Sequence, residues 1–266
     1  NKSLFKFPKR TGMYRGEKLN FKINENGIAT EVSILNGPIF KRRSPLSLTK
    51  KIFKITPIKS IDELRKEAER SNPPLGNSKS EKFDLIEIKS IDKSIKYDIR
   101  YASENNFMGS KFYKTSNAFL QRPAAEALKR VNEKLRSYGF GLLIHDAYRP
   151  WYVTKMFWDA TPEDKKIFVA NPQNGSRHNR GCAVDLTLYE LSTGSPVEMV
   201  SGYDEFTERA FPYYYGGTTK QRSLRDLLRK NMESEGFSVY EYEWWHFDYK
   251  DWKKYGIGNL KFEDIK

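Results

Sequence analysis

The chain contains three histidines, His145, His178 and His246, so few places can hold imidazole chemistry. His178 lies in Ser176-Arg177-His178-Asn179-Arg180-Gly181-Cys182-Ala183-Val184-Asp185, where Gly181 permits a sharp turn between the histidine and the aspartate. His246 closes Glu243-Trp244-Trp245-His246. Two histidines and an aspartate, His178, Asp185 and His246, are a sensible ligand set for one catalytic zinc, which takes three protein ligands and keeps one position for water. Glu243 is then the spare carboxylate, suited to take a proton from that water.

Each residue also has a plainer reading. A histidine between arginines on a polar turn is a common surface residue. Asp185 at the head of an apolar strand could be a buried hydrogen-bonding group, and the Trp-rich segment could be a strand packed on the core. Spacing adds a condition: residues i and i+3 fall on opposite faces of a regular strand. Glu243 and His246 converge only if that strand bulges or turns between them. The lone cysteine, Cys182, excludes a disulfide framework and reads as a small buried residue rather than a nucleophile. His145 reads as structural.

Several strings together resemble the zinc-dependent D-alanyl-D-alanine dipeptidases of the VanX type. SRHNRGCAVD is similar to that family's S-x-H-x-x-G-x-A-x-D motif, EWWH to its second signature, and DAYRP (146–150) to its arginine-bearing turn. YASENNF (101–107), DLTLYELSTG (185–194) and MVSGYD (199–204) extend the similarity over about residues 84–250, in order and approximate spacing. The resemblance implies that His178, Asp185 and His246 bind zinc and that Glu243 is general base and later proton donor. It implies that Arg149 meets the developing oxyanion, and that Tyr101, Ser176 and Asp204 contact the substrate, Asp204 holding its free α-ammonium group. The implied substrate is a small dipeptide such as D-Ala-D-Ala, hydrolysed without a covalent intermediate. A D,D- or L,D-carboxypeptidase trimming peptidoglycan stem peptides would use the same metal site with an open N-terminal side. A non-catalytic wall-binding protein is the reading from another class, and the presence of both Glu243 and Arg149 speaks against it.

The elements that must position these residues follow from the pattern around them. Asp84–Ile88 reads as a strand. Pro123 marks a helix start, with Ala124, Leu128, Val131 and Leu135 on one face and Gly139 beyond its end. Phe140–His145 is a short apolar run, hence a buried strand. Helices are predicted over Trp151–Asp159, Pro162–Ala170 and Arg222–Glu235, the last stopped by Gly236, and strands over Cys182–Tyr189 and Phe237–Tyr249. Long loops between these elements predict an α+β fold with a mainly antiparallel sheet flanked by helices, rather than a doubly wound one.

Upstream, Leu19, Phe21 and Ile23 alternate with polar residues, Asn26-Gly27 offers a hairpin turn before a strand over Ala29–Leu35, and Phe53–Ile58 is extended. Ile61–Arg70 has helical composition. The Pro-, Gly- and Ser-rich stretch from Ser71 to Lys82 reads as a linker. The predicted organisation is therefore a small β-rich extension over residues 1–75, a linker over 76–83, and a catalytic domain over 84–266.

With 266 residues, 38% hydrophobic and 14% aromatic, the chain can build a core, so wholesale disorder is excluded. No apolar run approaches the roughly 20 residues of a membrane span. The net charge of +13 is uneven: residues 1–80 hold 18 basic and 7 acidic side chains, and residues 81–266 hold 29 and 27. No nucleic-acid motif accompanies the basic segment, so a nucleic-acid partner is not expected. Weak contact of that segment with an anionic wall or membrane surface is. The start at Asn1 rather than methionine favours a periplasmic or exported location over a cytoplasmic one.

Overall fold

A computed structural model of the chain describes residues 4–6, 18–25, 29–34, 39–41, 54–74 and 80–265. It divides into two compact units, residues 1–51 and 52–266.

The first unit carries an antiparallel sheet of four strands in sequential order: β1 (Leu4–Lys6), β2 (Lys18–Ile23), β3 (Ala29–Ile34) and β4 (Ile39–Lys41). The β2–β3 pair places Leu19 opposite Ile34 and Phe21 opposite Val32, as the alternation in the sequence requires. The Asn26-Gly27 turn lies outside the described residues.

The second unit opens earlier than composition suggests. Helix α1 (Ile61–Glu69), capped by the Ser60 hydroxyl, buries Leu64 and Ala68 in the main core, and Ile55 joins them. The division at 51/52 thus differs from the predicted linker at 76–83, because two apolar helix positions outweigh the polar stretch that follows them. Within Phe53–Ile58, the described residues 54–58 form no strand.

Five strands make the central sheet, in the order β10 (Phe237–Tyr240), β11 (Glu243–Tyr249), β9 (Ala183–Glu190), β8 (Phe140–Asp146) and β6 (Lys96–Tyr97). Every pair is antiparallel except β6–β8. A two-stranded ribbon, β5 (Leu85–Glu87) with β7 (Phe119–Gln121), lies outside this sheet, and one helical turn, α2 (Ile88–Ile91), follows β5. Helix α3 (Arg122–Arg136) has Pro123 in its first turn, where the missing N–H costs nothing, and buries Ala124, Leu128, Val131 and Leu135. Helix α4 (Trp151–Ala160) is apolar on most of its surface and is buried accordingly. Helix α5 (Thr219–Ser234) starts in a capping box between Thr218 and Gln221, and Gly236, at φ +87°, turns the chain into β10.

Two predicted elements change form. Phe237–Tyr249 is a hairpin rather than one strand, with Glu241 and Tyr242 as its turn and no glycine or proline to announce it. Pro162–Ala170 contains a 3₁₀ helix, Glu163–Phe168, none of whose residues is buried, so no packed face sustains a full α-helix.

Candidate metal centre

Asp185 and His246 come from neighbouring central strands in direct register, β9 and β11. His178 comes from the 3₁₀ turn His178–Arg180 just before β9. That turn closes on Gly181, which adopts a left-handed φ of +67° and where a Cβ would sit 2.5 Å from the Leu85 side chain. The Gly181 carbonyl accepts from the Gln121 amide, which ties the turn to β7. Gly181 therefore provides both the conformation and the clearance that bring His178 back over Asp185.

The three side chains are buried, and their donor atoms lie within 4.8 Å of one another. His246 Nδ1 is 2.9 Å from Asp185 Oδ1, His178 Nε2 is 3.2 Å from His246 Nδ1, and His178 Nε2 is 3.4 Å from Asp185 Oδ2. Tetrahedral zinc with bonds of about 2.0–2.1 Å sets its ligand atoms about 3.3 Å apart, so this donor set fits the ion. The outer nitrogens are already committed. His178 Nδ1 donates to the Ala147 carbonyl at 2.7 Å and His246 Nε2 to Asp248 Oδ1 at 3.0 Å, so the inward-facing nitrogens are free to be acceptors. Arg177 in turn holds the other Asp248 oxygen.

Glu243 reaches this cluster. Its Oε2 is 3.8 Å from His246 Nδ1. The face problem posed by the i, i+3 spacing is resolved by a bulge: Val239 pairs with Phe247, but the next residue, Tyr240, pairs with Glu243. Trp244, Trp245 and His246 thus have no partners on β10, and the chain turns enough to present Glu243 and His246 together. Desolvation by burial pushes the Glu243 carboxyl up to about 7, opposed by His246 and reinforced by Asp185.

Arg149 is buried and bound through Nε and Nη2 to Asp146 Oδ2, at 2.9 and 2.6 Å. Asp146 also accepts from the Tyr113 hydroxyl at 2.7 Å and the Ala147 amide at 2.9 Å. The guanidinium lies 5.2 Å from the Tyr101 ring centroid and 5.0 Å from that of Phe157. A strand-end carboxylate and two aromatic faces thereby fix its direction.

Tyr101 donates to Asp204 Oδ2 at 3.0 Å. Asp204 is the one described non-glycine residue with positive φ, +54°, a conformation retained at a cost of about 1–3 kcal/mol. Desolvation, together with the charges of Asp185 and Glu243, holds its carboxyl well above the usual carboxylate range. Carboxyls that crowd one another in this way ionise most readily beside a cation, whether a metal ion or an ammonium group. Ser176 sits two residues before His178, whose amide donates to the Ser176 hydroxyl at 3.2 Å.

All eight residues singled out in the sequence thus have defined places here. His178, Asp185, His246 and Glu243 form one cluster, and Tyr101 links Arg149 to Asp204. Three contributors were not singled out. Asp248, two residues after His246 and so on the same strand face, could have been found from spacing alone. Asp146 shares the DAYRP segment with Arg149, and the fold alone shows that it binds the guanidinium. Tyr203, whose hydroxyl donates to Asp185 Oδ2 at 2.8 Å, carries no signal beyond its place next to Asp204.

The profile of the Peptidase_M15 family, described as D-ala-D-ala dipeptidase, matches residues 81–262. The chain is 32% identical over 169 residues to a D-alanyl-D-alanine dipeptidase of Escherichia coli, covering 64% of this chain and 86% of that protein. It is 34% identical over 171 residues to the D-alanyl-D-alanine dipeptidase of Enterococcus faecalis, covering 58% and 85%. It is 34% identical over 179 residues to that of Enterococcus faecium, covering 60% and 89%. With the family model spanning the whole central sheet and every residue of the candidate metal centre, the chain belongs to the Peptidase_M15 family.

Proposed function

We propose that the chain is a zinc metallopeptidase that hydrolyses D-alanyl-D-alanine or a similar dipeptide. The observation that carries this reading is the placement of a carboxylate, Glu243, 3.8 Å from a converging His178–Asp185–His246 donor set. Zinc, when bound, supplies Lewis acidity and lowers the pKa of a coordinated water. Glu243 takes the proton released as the water attacks and returns it to the leaving amine. Arg149, held by Asp146, stabilises the negative charge that grows on the scissile carbonyl oxygen, and it gains most there because it is already oriented.

Asp204, supported by Tyr101, pairs with the substrate's α-ammonium group, and Ser176 contributes a hydroxyl beside His178. A carboxylate at the substrate N-terminus favours dipeptides over longer wall peptides. The dipeptidase relatives support the same choice. We assign any weak attraction to anionic wall or membrane surfaces to the basic residues 1–75, and a periplasmic or exported site of action to the enzyme. No helix among the described residues is long and apolar enough to cross a membrane.

The deciding experiment offers zinc-loaded protein free D-Ala-D-Ala and, separately, a stem pentapeptide. The expected result is release of D-alanine from the dipeptide with the pentapeptide spared. Cleavage of the pentapeptide alone would make the enzyme a carboxypeptidase. Cleavage of neither would make the fold a binding module.

A further inference from the structure

Asp185 has two oxygens with different company. Oδ1 faces His246 Nδ1, while Oδ2 accepts a 2.8 Å hydrogen bond from the Tyr203 hydroxyl. The Tyr203 hydroxyl also lies 3.2 Å from that of Tyr101, which donates to Asp204. A phenol has one proton, and Tyr203 has two possible acceptors for it, Asp185 and Tyr101.

The Tyr203 ring is held from several sides. His145 packs on it with centroids 4.8 Å apart and ring planes 38° apart, and Trp245 meets it edge-on at 5.6 Å. His145 is in turn fixed by Asp98, whose carbonyl lies 3.3 Å and whose carboxylate lies 3.5 Å from Nδ1. Asp98 also receives Arg100 Nε at 2.7 Å. A register shift in the β8–β9 pair explains how His145 comes to take part. Ile144 pairs with Leu186 and Asp146 with Asp185, so His145 is the extra residue. Such a bulge re-aims one side chain without breaking the sheet.

We infer that Tyr203 is a positioning residue for the metal centre: its hydroxyl fixes the orientation of Asp185 and, through Tyr101, connects that ligand to Asp204. His145 and Asp98 act one step further out, by holding the Tyr203 ring. Outer hydrogen bonds to metal ligands are worth about 10- to 100-fold in metal affinity, because a ligand held in place loses less freedom on binding.

This inference rests on the metal reading of the cluster, and the test separates the two. Zinc affinity of the full-length wild type, Tyr203→Phe and His145→Leu is measured by competition with a chromophoric chelator. The visible absorption of the cobalt-loaded proteins is recorded alongside. Tyr203→Phe keeps the ring and its packing and removes only the hydroxyl. Zinc binding about 10- to 100-fold weaker, with a changed cobalt spectrum, is expected for it. His145→Leu, which keeps the hydroxyl but loosens the ring, should show a smaller loss in the same direction. Wild-type affinity and spectrum in Tyr203→Phe would overturn the inference alone. A wild type that takes up no metal would overturn it together with the metal reading.

Discussion

Asp185 and His246 are direct cross-strand partners, and their side chains meet at 2.9 Å on the same face of the central sheet. The alignment of these two donors is therefore set by the register of β9 and β11. That register is held in turn by fully buried neighbours, Val184, Leu186 and Phe247. Removal of metal should consequently leave the fold intact. Chelator-treated protein is expected to keep its far-UV circular dichroism and to melt at a lower temperature. Zinc added to 100 times its Kd should restore about 2.7 kcal/mol of stability. Loss of secondary structure on chelation would show that the metal, not the register, organises the strands.

Glu243→Gln should lower kcat by about 10²- to 10⁴-fold, the range of a general acid–base contribution, while zinc content stays stoichiometric. Metal analysis beside the kinetics checks this. A zinc-deficient variant would mean that Glu243 is a ligand.

The same residue sets a pH dependence. Desolvation raises the Glu243 carboxyl to about 7, and a seated divalent cation pulls that ionisation back down. A base acts only when deprotonated, so kcat/KM should rise with pH along an acid limb lying below 7. Glu243→Gln should flatten that limb in whatever residual activity remains.

Arg149→Lys keeps a charge but cannot reproduce two contacts with one Asp146 oxygen. It should lose about 10²–10³ in kcat with a smaller change in KM, as expected for a group that acts in the transition state. Arg149→Ala should in addition cost about 3–5 kcal/mol, because Asp146 would remain as a buried charge without its partner. Steady-state kinetics and chemical denaturation separate the two effects.

Away from the site, Asn132 is fully buried and fully used. It donates to Asp92 at 2.8 Å and to Ser94 at 2.9 Å, and it accepts the Leu142 amide at 2.9 Å. Burial alone would raise Asp92, but hydrogen bonds from Ser94 and Asn132 bring it below its ordinary value. A carboxyl lowered by folding adds stability above its unfolded pKa, and that stability is lost as pH falls through the folded pKa. Asn132→Leu should cost about 1–3 kcal/mol near neutrality. It should also reduce the decline in melting temperature between pH 5 and pH 3.

The parts of this molecule that could be read from sequence are those where local pattern and tertiary role coincide. Pro123 with its four apolar followers marked α3, and the His178–Asp185 interval marked a turn feeding a buried strand. The Glu243–His246 spacing required a bulge or a turn if the two were to converge, and β10 and β11 contain the bulge. What escaped depended on packing partners distant in the chain. The Glu241–Tyr242 turn is made by residues without turn preference, because strand pairing on both sides imposes it. Helix α1 joins the second unit through Leu64 and Ala68, which a polar stretch downstream obscured. Tyr203 becomes informative only once β9 brings Asp185 to it.

The bulge at Val239–Tyr240, opposite Trp244–His246, also separates two kinds of tolerance. Where strands pair regularly, what a position accepts is decided by the side chain, and the number of residues is fixed by the ladder. Across Trp244–His246 the count itself carries information, because three residues span one step of the neighbouring strand. Shortening this segment by one would leave β9 and its half of the sheet in place yet turn Glu243 away from the His178–Asp185–His246 cluster. In this stretch, chain length itself decides whether Glu243 meets the His178–Asp185–His246 cluster.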